Sequence, residues 1–179
     1  MQEPADDHLC GTMRTLYLTR HAKSSWDDPR TDDLHRPLNE RGLRDAPYMA
    51  RMFKERGEPV DRLVSSPAVR AMSTAREFAQ AIGISPENIA LERGIYLAPA
   101  EMLLRIVNLL SDDFGRVMLF GHNPGFTELT EYISDADIDE LTTCGTVRID
   151  FTTNTWAEVS MGTGTLVWHD HPKRHPELK

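Results

Sequence analysis

The chain has 179 residues, 40% hydrophobic and 27% charged, an ordinary globular composition at a length that suits one domain burying roughly 70% of its unfolded surface. A formal net charge of -8 excludes nucleic acid as the main partner, because a phosphate backbone would be repelled at long range; any anion site must be local. Cys10 and Cys144 need no disulfide at this size, no apolar stretch approaches the roughly 18 residues of a membrane span, and the N-terminus lacks a signal-peptide pattern, so we expect a cytoplasmic protein without a membrane partner.

Residues 1–12 hold three acids and a proline and read as a loose, flexible N-terminal tail, leaving a single domain over 13–179. From Thr15 the chain runs TLYLTRHAK. Leu16, Tyr17, Leu18 and Thr19 suit a buried strand, which puts Arg20-His21 at its C-terminal end. Residues 24–37 are polar and proline-punctuated and predict an ordered loop beside that end. Asn39 opens a helical pattern through Leu43, Ala46, Ala50 and Phe53 that Gly57 stops, and Pro47 inside it predicts a kink or a late start.

A second strand over 61–65 leads to Ser66, an N-cap by type, and Pro67, a first helical residue by type. The helix that follows carries Ala71, Ala75, Phe78, Ala79 and Ile82 on one side and ends at Gly83, with Arg70 in or just after its first turn. Next come a short strand at 89–92 and a helix from about 99 to 110 facing inward through Leu103, Ile106, Val107 and Leu110. A strong strand over 116–120 ends in Gly121-His122-Asn123-Pro124-Gly125, and a short helix passes through Phe126, Leu129 and Ile133. Beyond Thr146 the period becomes two, with strands at 146–151 and 156–161 around a turn at Thr153-Asn154, then a last apolar run at 165–168.

This order implies an α/β fold: a three-layer sandwich whose central, mostly parallel sheet is flanked by helices, with a hairpin added late. Ligands of such sheets bind outside the carboxyl ends of the strands. Here the three best strands end in Arg20-His21, in Ser65-Ser66 with Arg70 one turn on, and in His122. Helix N-termini reach the same edge and add free N–H groups and positive dipole ends, so two arginines and two histidines converge on a phosphate pocket. Taken singly, Arg20-His21 reads as a surface pair, Arg70 as a solvated helix arginine and His122 as a turn residue. Lys23 and Arg36 fit a solvated or ion-paired role as well as a phosphate contact, Ser65 and Ser66 read as structural, and Trp26 as a loop anchor. His169, His171 and His175 have polar, proline-bearing flanks that argue against a metal site.

RHAKSSW at 20–26, RPLNERG at 36–42, SSPAVRAMSTA at 65–75 and GHNPG at 121–125 resemble the histidine phosphatase superfamily, with its phosphoglycerate mutase-like fold. They are most similar to the small SixA-type phosphohistidine phosphatases; Ala22, where the superfamily usually has glycine, is common in that branch. The resemblance implies that His21 is the nucleophile, that Arg20 and Arg70 hold the phosphoryl oxygens, and that His122 donates a hydrogen bond to them, with Asn123 and Lys23 as further phosphate or substrate contacts. It implies neither metal nor cofactor. An imidazole attacks phosphorus only from a neutral nitrogen, so the other ring nitrogen must be protonated and held, as by a backbone carbonyl.

The general acid stays unassigned. Glu92 and Glu101 are candidates by position, with Tyr96 between them, and Asp27, Asp32, Asp33 and His35 in the first loop are alternatives. A phosphoramidate leaving group tolerates a weak or absent acid. Only residues 27–38 and 94–99 are available to cover the pocket, which implies an open, shallow site suited to a phosphorylated side chain on another protein. A small phosphate ester is the alternative substrate, making the chain a small-molecule phosphomonoesterase. A non-catalytic phosphate-binding module is the third reading, and Arg20 or His122 pointing away from His21 would favour it.

Overall fold

Side-chain alternation along two neighbouring strands decides where the helices lie. The structure, a computed structural model, describes residues 13–178; the tail expected at 1–12, and Cys10 with it, lies outside them. Its strands are β1 (Arg14–Arg20), β2 (Arg62–Ser65), β3 (Ala90–Leu91), β4 (Arg116–Gly121), β5 (Thr146–Phe151) and β6 (Gly164–Asp170), ordered β3-β2-β4-β1-β5-β6 in one sheet. β3, β2, β4 and β1 run parallel, β5 is antiparallel to β1, and β6 is antiparallel to β5. The helices are α1 (Glu40–Glu55), α2 (Val69–Ile82), α3 (Ala100–Asn108) and α4 (Gly125–Ser134).

Leu16 and Leu18 of β1 and Val117 and Leu119 of β4 cluster with Leu103, Val107, Phe126 and Leu129, so α3 and α4 cover that face. Tyr17, Met118 and Phe120 point the other way, into a cluster with Ala46, Phe53 and Phe78 from α1 and α2. The result is the expected three-layer sandwich, with period-two alternation feeding both layers. Each fully buried leucine or phenylalanine contributes about 1.5–3 kcal/mol. Among the described residues, no helix is long and apolar enough to cross a membrane.

Three local expectations are corrected. α1 starts at once, capped by Asn39, whose side chain accepts from the Gly42 amide at 2.9 Å, and it continues through Pro47 on its exposed side. Leu43 is 62% exposed; the buried face is Asp45, Ala46, Met49, Ala50 and Phe53. α2 begins at Val69 with Ala68 as an N-cap that makes no side-chain bond; the Ser66 hydroxyl lies two residues earlier, where it accepts from the Ala68 amide at 3.3 Å and also meets His122 Nε2 at 2.8 Å. Gly83 does end that helix, in the left-handed conformation at φ 78 that glycine adopts without strain. The third correction is the hairpin. Residues 156–158 form a 3-10 turn, and β5 pairs with β6. Trp156 is fully buried and its Nε1 donates to the Phe114 carbonyl at 2.8 Å, which takes this segment out of the sheet.

Candidate active site

The parallel register sets the pocket. Arg20 is the last residue of β1 and lies opposite Gly121 of β4, while Ser65 of β2 lies opposite Phe120. The His21 amide then donates to the Gly121 carbonyl at 3.0 Å and the Ser66 amide to the Phe120 carbonyl at 3.0 Å. Three strands therefore release their chains at one level. The segment after His21 is tied to α2 through Thr74, whose hydroxyl accepts from the Ala22 amide at 2.9 Å and donates to the Arg70 carbonyl at 2.8 Å.

His21 is nearly buried. Its Nδ1 lies 2.7 Å from the Ala22 carbonyl; a carbonyl can only accept, so Nδ1 carries the proton. Nε2 is left with its lone pair, 3.3 Å from the Arg70 Nε. Burial first, and then the Arg70, Arg20 and Arg36 guanidiniums, lower the His21 pKa to about 3 against the opposing pull of the Ala22 bond. The imidazole is neutral at physiological pH.

His122 sits beside it, with ring centroids 5.1 Å apart. An arginine can only donate, so the 3.4 Å approach of Arg70 Nη2 makes His122 Nδ1 an acceptor, and Nε2 donates to the Ser66 hydroxyl at 2.8 Å. Burial, followed by His21 and Arg70, lowers His122 to about 3. In this state the ring presents no proton toward Arg70.

Arg70, only 2% exposed, is the hub of the pocket. Its Nη2 donates to Asp33 Oδ2 at 2.8 Å and its Nη1 to the Asp33 carbonyl. Asp33 belongs to a 3-10 turn (Asp33–His35) in the first loop; its Oδ2 also accepts from the Tyr96 hydroxyl at 2.6 Å, and its Oδ1 lies 3.1 Å from Arg36 Nε. Partial burial pushes the Asp33 carboxyl up, but the Tyr96 hydroxyl and Arg70 outweigh it and hold the group below its ordinary value. Tyr96 in turn meets the His122 ring edge-on, with centroids 5.5 Å apart.

Arg20 borders the pocket from β1. Its Nη1 donates to Glu140 Oε1 at 2.5 Å and to the Leu141 carbonyl at 2.9 Å, and Asn123 Nδ2 reaches that same carbonyl at 3.0 Å. Buried Arg20 Nε and Arg36 Nη1 have no hydrogen-bond partner among the described residues. Desolvated guanidinium donors of this kind, beside a neutral imidazole lone pair, are suited to an oxyanion that arrives from outside.

The remaining sequence candidates fall elsewhere. The Lys23 side chain is exposed, and what this residue gives the site is its carbonyl, which accepts from the Asn39 amide at 3.0 Å. The Glu92 carboxylate is turned onto the Gly94 amide at 2.7 Å, and Glu101 pairs along α3 with Arg105 at 2.7 Å. Among the described residues neither carboxylate contacts His21, Arg70 or His122. His175 Nε2 pairs with Asp170 at 2.8 Å, at the end of β6 two strands across from β1. Arg36 and Tyr96, left open by the sequence, are pocket residues. The signal for Arg36 was its place in the RPLNERG run, at the point where the first loop returns through a bridge from Ser24 to Leu38.

Residues 16–93 match the family model of the histidine phosphatase superfamily (branch 1). An uncharacterized chloroplastic protein of Arabidopsis thaliana is 32% identical over 163 residues, covering 87% of this chain and 74% of that one. Among solved structures, a protein assigned as the phosphohistidine phosphatase SixA of Agrobacterium tumefaciens superposes with a TM-score of 0.74 at 27% identity, over 89% of this chain and 98% of its own. The protein histidine phosphatase SixA complexed with tungstate gives 0.75 at 18% identity, over 89% and 98%, and at that distance shows the fold. Four sequence motifs, the convergence of three of them at strand ends around a neutral histidine, and these matches lead to one statement: the chain belongs to the histidine phosphatase superfamily, beside its SixA-type members.

Proposed function

We propose that the protein hydrolyses phosphohistidine, or another phosphorylated side chain of a protein, through a covalent phosphohistidine on His21. The observation that carries this reading is the His21 Nε2 lone pair, fixed by the Ala22 carbonyl on Nδ1 and set against the Arg70 guanidinium at 3.3 Å. Nε2 attacks phosphorus, the bond from phosphorus to the leaving nitrogen or oxygen breaks, and the phosphoryl group stays on His21. Water then attacks phosphorus, orthophosphate leaves, and Nε2 regains its lone pair.

Charge is handled by the chain's own side chains. Arg70, Arg20 and Arg36 face the phosphoryl oxygens, whose charge persists through the transition state, and the reading calls for no metal. Asn123 supports this set indirectly, by fixing the Leu141 carbonyl on which Arg20 rests. A bound dianion also gives His122 Nδ1 a reason to take up a proton and become a donor, which burial alone opposes. A SixA protein of the same fold is complexed with tungstate, a phosphate-like oxyanion.

The substrate class follows from the acid. With Glu92 turned onto the Gly94 amide, Glu101 paired with Arg105 and Asp33 held below its ordinary value, none of these three carboxylates is poised to protonate an alkoxide. A phosphorylated imidazole can instead take a proton from solvent on its other nitrogen and depart as neutral imidazole. The test follows orthophosphate release from a phosphohistidine-bearing protein and from a panel of alkyl and sugar phosphates, with trapping of acid-labile phosphate on the enzyme. Wild type is expected to turn over the phosphoprotein and carry the label, and His21→Ala to do neither. Full activity of His21→Ala sinks the mechanism, and faster turnover of a sugar phosphate favours the small-molecule phosphomonoesterase.

A further inference from the structure

The pocket already holds an anion, and it is the protein's own. Asp33 Oδ2 takes Arg70 Nη2 at 2.8 Å and the Tyr96 hydroxyl at 2.6 Å, its Oδ1 lies 3.1 Å from Arg36 Nε, and its carbonyl takes Arg70 Nη1. Two of the three nitrogens of Arg70 are thus spent on one aspartate, and the third, Nε, faces His21. A phosphoryl group transferred to His21 Nε2 needs those same donors. Two anions cannot share one buried guanidinium edge without strong repulsion, so the carboxylate has to yield its place.

We propose that Asp33 is a specificity-determining residue: an internal carboxylate that fills the phosphoryl position of the free enzyme and is displaced well only by phosphoryl groups whose carrier makes further contacts. The proposal rests on the phosphoryl pocket described under the proposed function. Orthophosphate and small esters bring only their phosphoryl oxygens to this exchange, so part of their binding energy is spent on moving Asp33. A phosphorylated side chain brings polypeptide with it. The two residues that hold Asp33 from outside each adjoin an exposed apolar side chain. Trp26, 73% exposed, lies 3.4 Å from the Arg36 guanidinium, and Leu97, 55% exposed, follows Tyr96 at φ 50, a backbone setting that leucine rarely adopts. Displacing Asp33 releases both loops together, and it keeps the product orthophosphate from lingering.

The experiment is calorimetric titration of orthophosphate and of tungstate into wild type, Asp33→Asn and Asp33→Ala, with inhibition by orthophosphate measured on the phosphoprotein reaction. Because anion binding needs no turnover, it reads Asp33 whatever the physiological substrate is. Both variants are expected to bind both anions about tenfold more tightly than wild type, and orthophosphate is expected to inhibit the variants correspondingly better. Unchanged or weaker anion binding in both variants overturns the proposal. So does a fall in kcat with unchanged anion affinity, which would make Asp33 a proton donor. Failure of all three proteins to bind either anion overturns the pocket reading as well.

Discussion

At the N-terminal end of the parallel strands, Arg116 is clasped by Asp61 through Nε at 3.0 Å and Nη2 at 2.5 Å, and Arg148 by Asp150 through Nε at 2.9 Å and Nη2 at 2.8 Å, with Glu58 at 3.3 Å as a third partner. Thr15, Asp61, Arg116 and Arg148 line a hollow there. At the C-terminal end, Arg36 and Arg70 share the single carboxylate of Asp33, Arg20 leans on Glu140, and buried donors of Arg20 and Arg36 are unspent. Both ends gather arginines. One end has matched Arg116 and Arg148 with carboxylates and so built structure; the other has left guanidinium donors without a partner near a lone pair. In a chain of net charge -8, that local imbalance is what makes a site for phosphate.

The sharpest way to break the comparison is to remove an arginine from each end. Arg70→Ala should lower kcat by about 10²–10³, the usual loss when a donor to a developing oxyanion is deleted. Arg116→Ala should leave kcat and KM unchanged and cost at most about 1 kcal/mol in urea unfolding, since its ion pair is partly exposed. Equal kinetic losses in the two variants would mean that the ends do not differ in function.

Acid should also separate the ends. His21 and His122 have an ordinary value of 6.5 and a folded value of about 3, so the unfolded chain binds more protons between those limits and stability falls as pH drops through them. Each histidine contributes a slope of up to about 1.4 kcal/mol per pH unit. Asp61, lowered mainly by its Arg116 bond, gives stability that is present above the ordinary carboxylate range and lost only below it. Urea unfolding across pH should therefore weaken first through the histidines, and a His21→Gln, His122→Gln double variant should flatten the profile between pH 6 and the carboxylate range. A profile that the double variant leaves unchanged would refute the buried neutral pair.

How much of this was legible follows from what each signal reports. Strand ends are marked by composition, so Arg20-His21, Arg70 and His122 could be brought together before any coordinates, and Asn39 and Gly83 announced their helix ends by backbone chemistry. The alternating pattern at 156–161 was misleading because period two records which side chains alternate and says nothing of a tryptophan buried in the layer beneath. Asp33 and Tyr96 were both named among the open possibilities, and what stayed hidden, for a different reason, was their meeting. They meet across two loops that have no period, and only the fold of the first loop back over α2 shows that Asp33, rather than Glu92 or Glu101, is the carboxylate of the pocket.

Glycines at the two ends make a milder contrast. A Cβ on Gly42 would stand 2.1 Å from the Lys23 carbonyl oxygen, a backbone atom just beyond His21 and Ala22, whereas one on Gly115 would meet only Asp61 Oδ2 at 3.7 Å and the Met13 carbonyl at 3.9 Å. Gly42→Ala should cost about 1–3 kcal/mol in chemical denaturation, as overpacked sites do, and lower kcat by shifting the segment that carries His21. Gly115→Ala should be close to neutral in both. A Gly42→Ala variant that folds and turns over like wild type would show that the joint between α1 and the first loop does not position His21.

The smallest expected effect is at the rim, where Arg36 lies 3.4 Å from the Trp26 ring centroid while Trp26 stays 73% exposed. At the other end, Arg62 stands 5.5 Å from Phe114, a looser contact beside paired charges. A cation over an exposed ring is worth about 0.5–1 kcal/mol, so Trp26→Ala should raise KM about twofold to fivefold with kcat nearly intact. The comparison between substrates is the informative part. If KM rises for a phosphoprotein and not for a small phosphate ester, Trp26 touches the polypeptide; if it rises equally for both, Trp26 acts only by steadying Arg36 beneath it. In either case the ring matters because it covers a cation whose Nη1 has no hydrogen-bond partner among the described residues and can meet an incoming anion, a situation that Arg116 and Arg148, paired with carboxylates at the opposite end, do not offer.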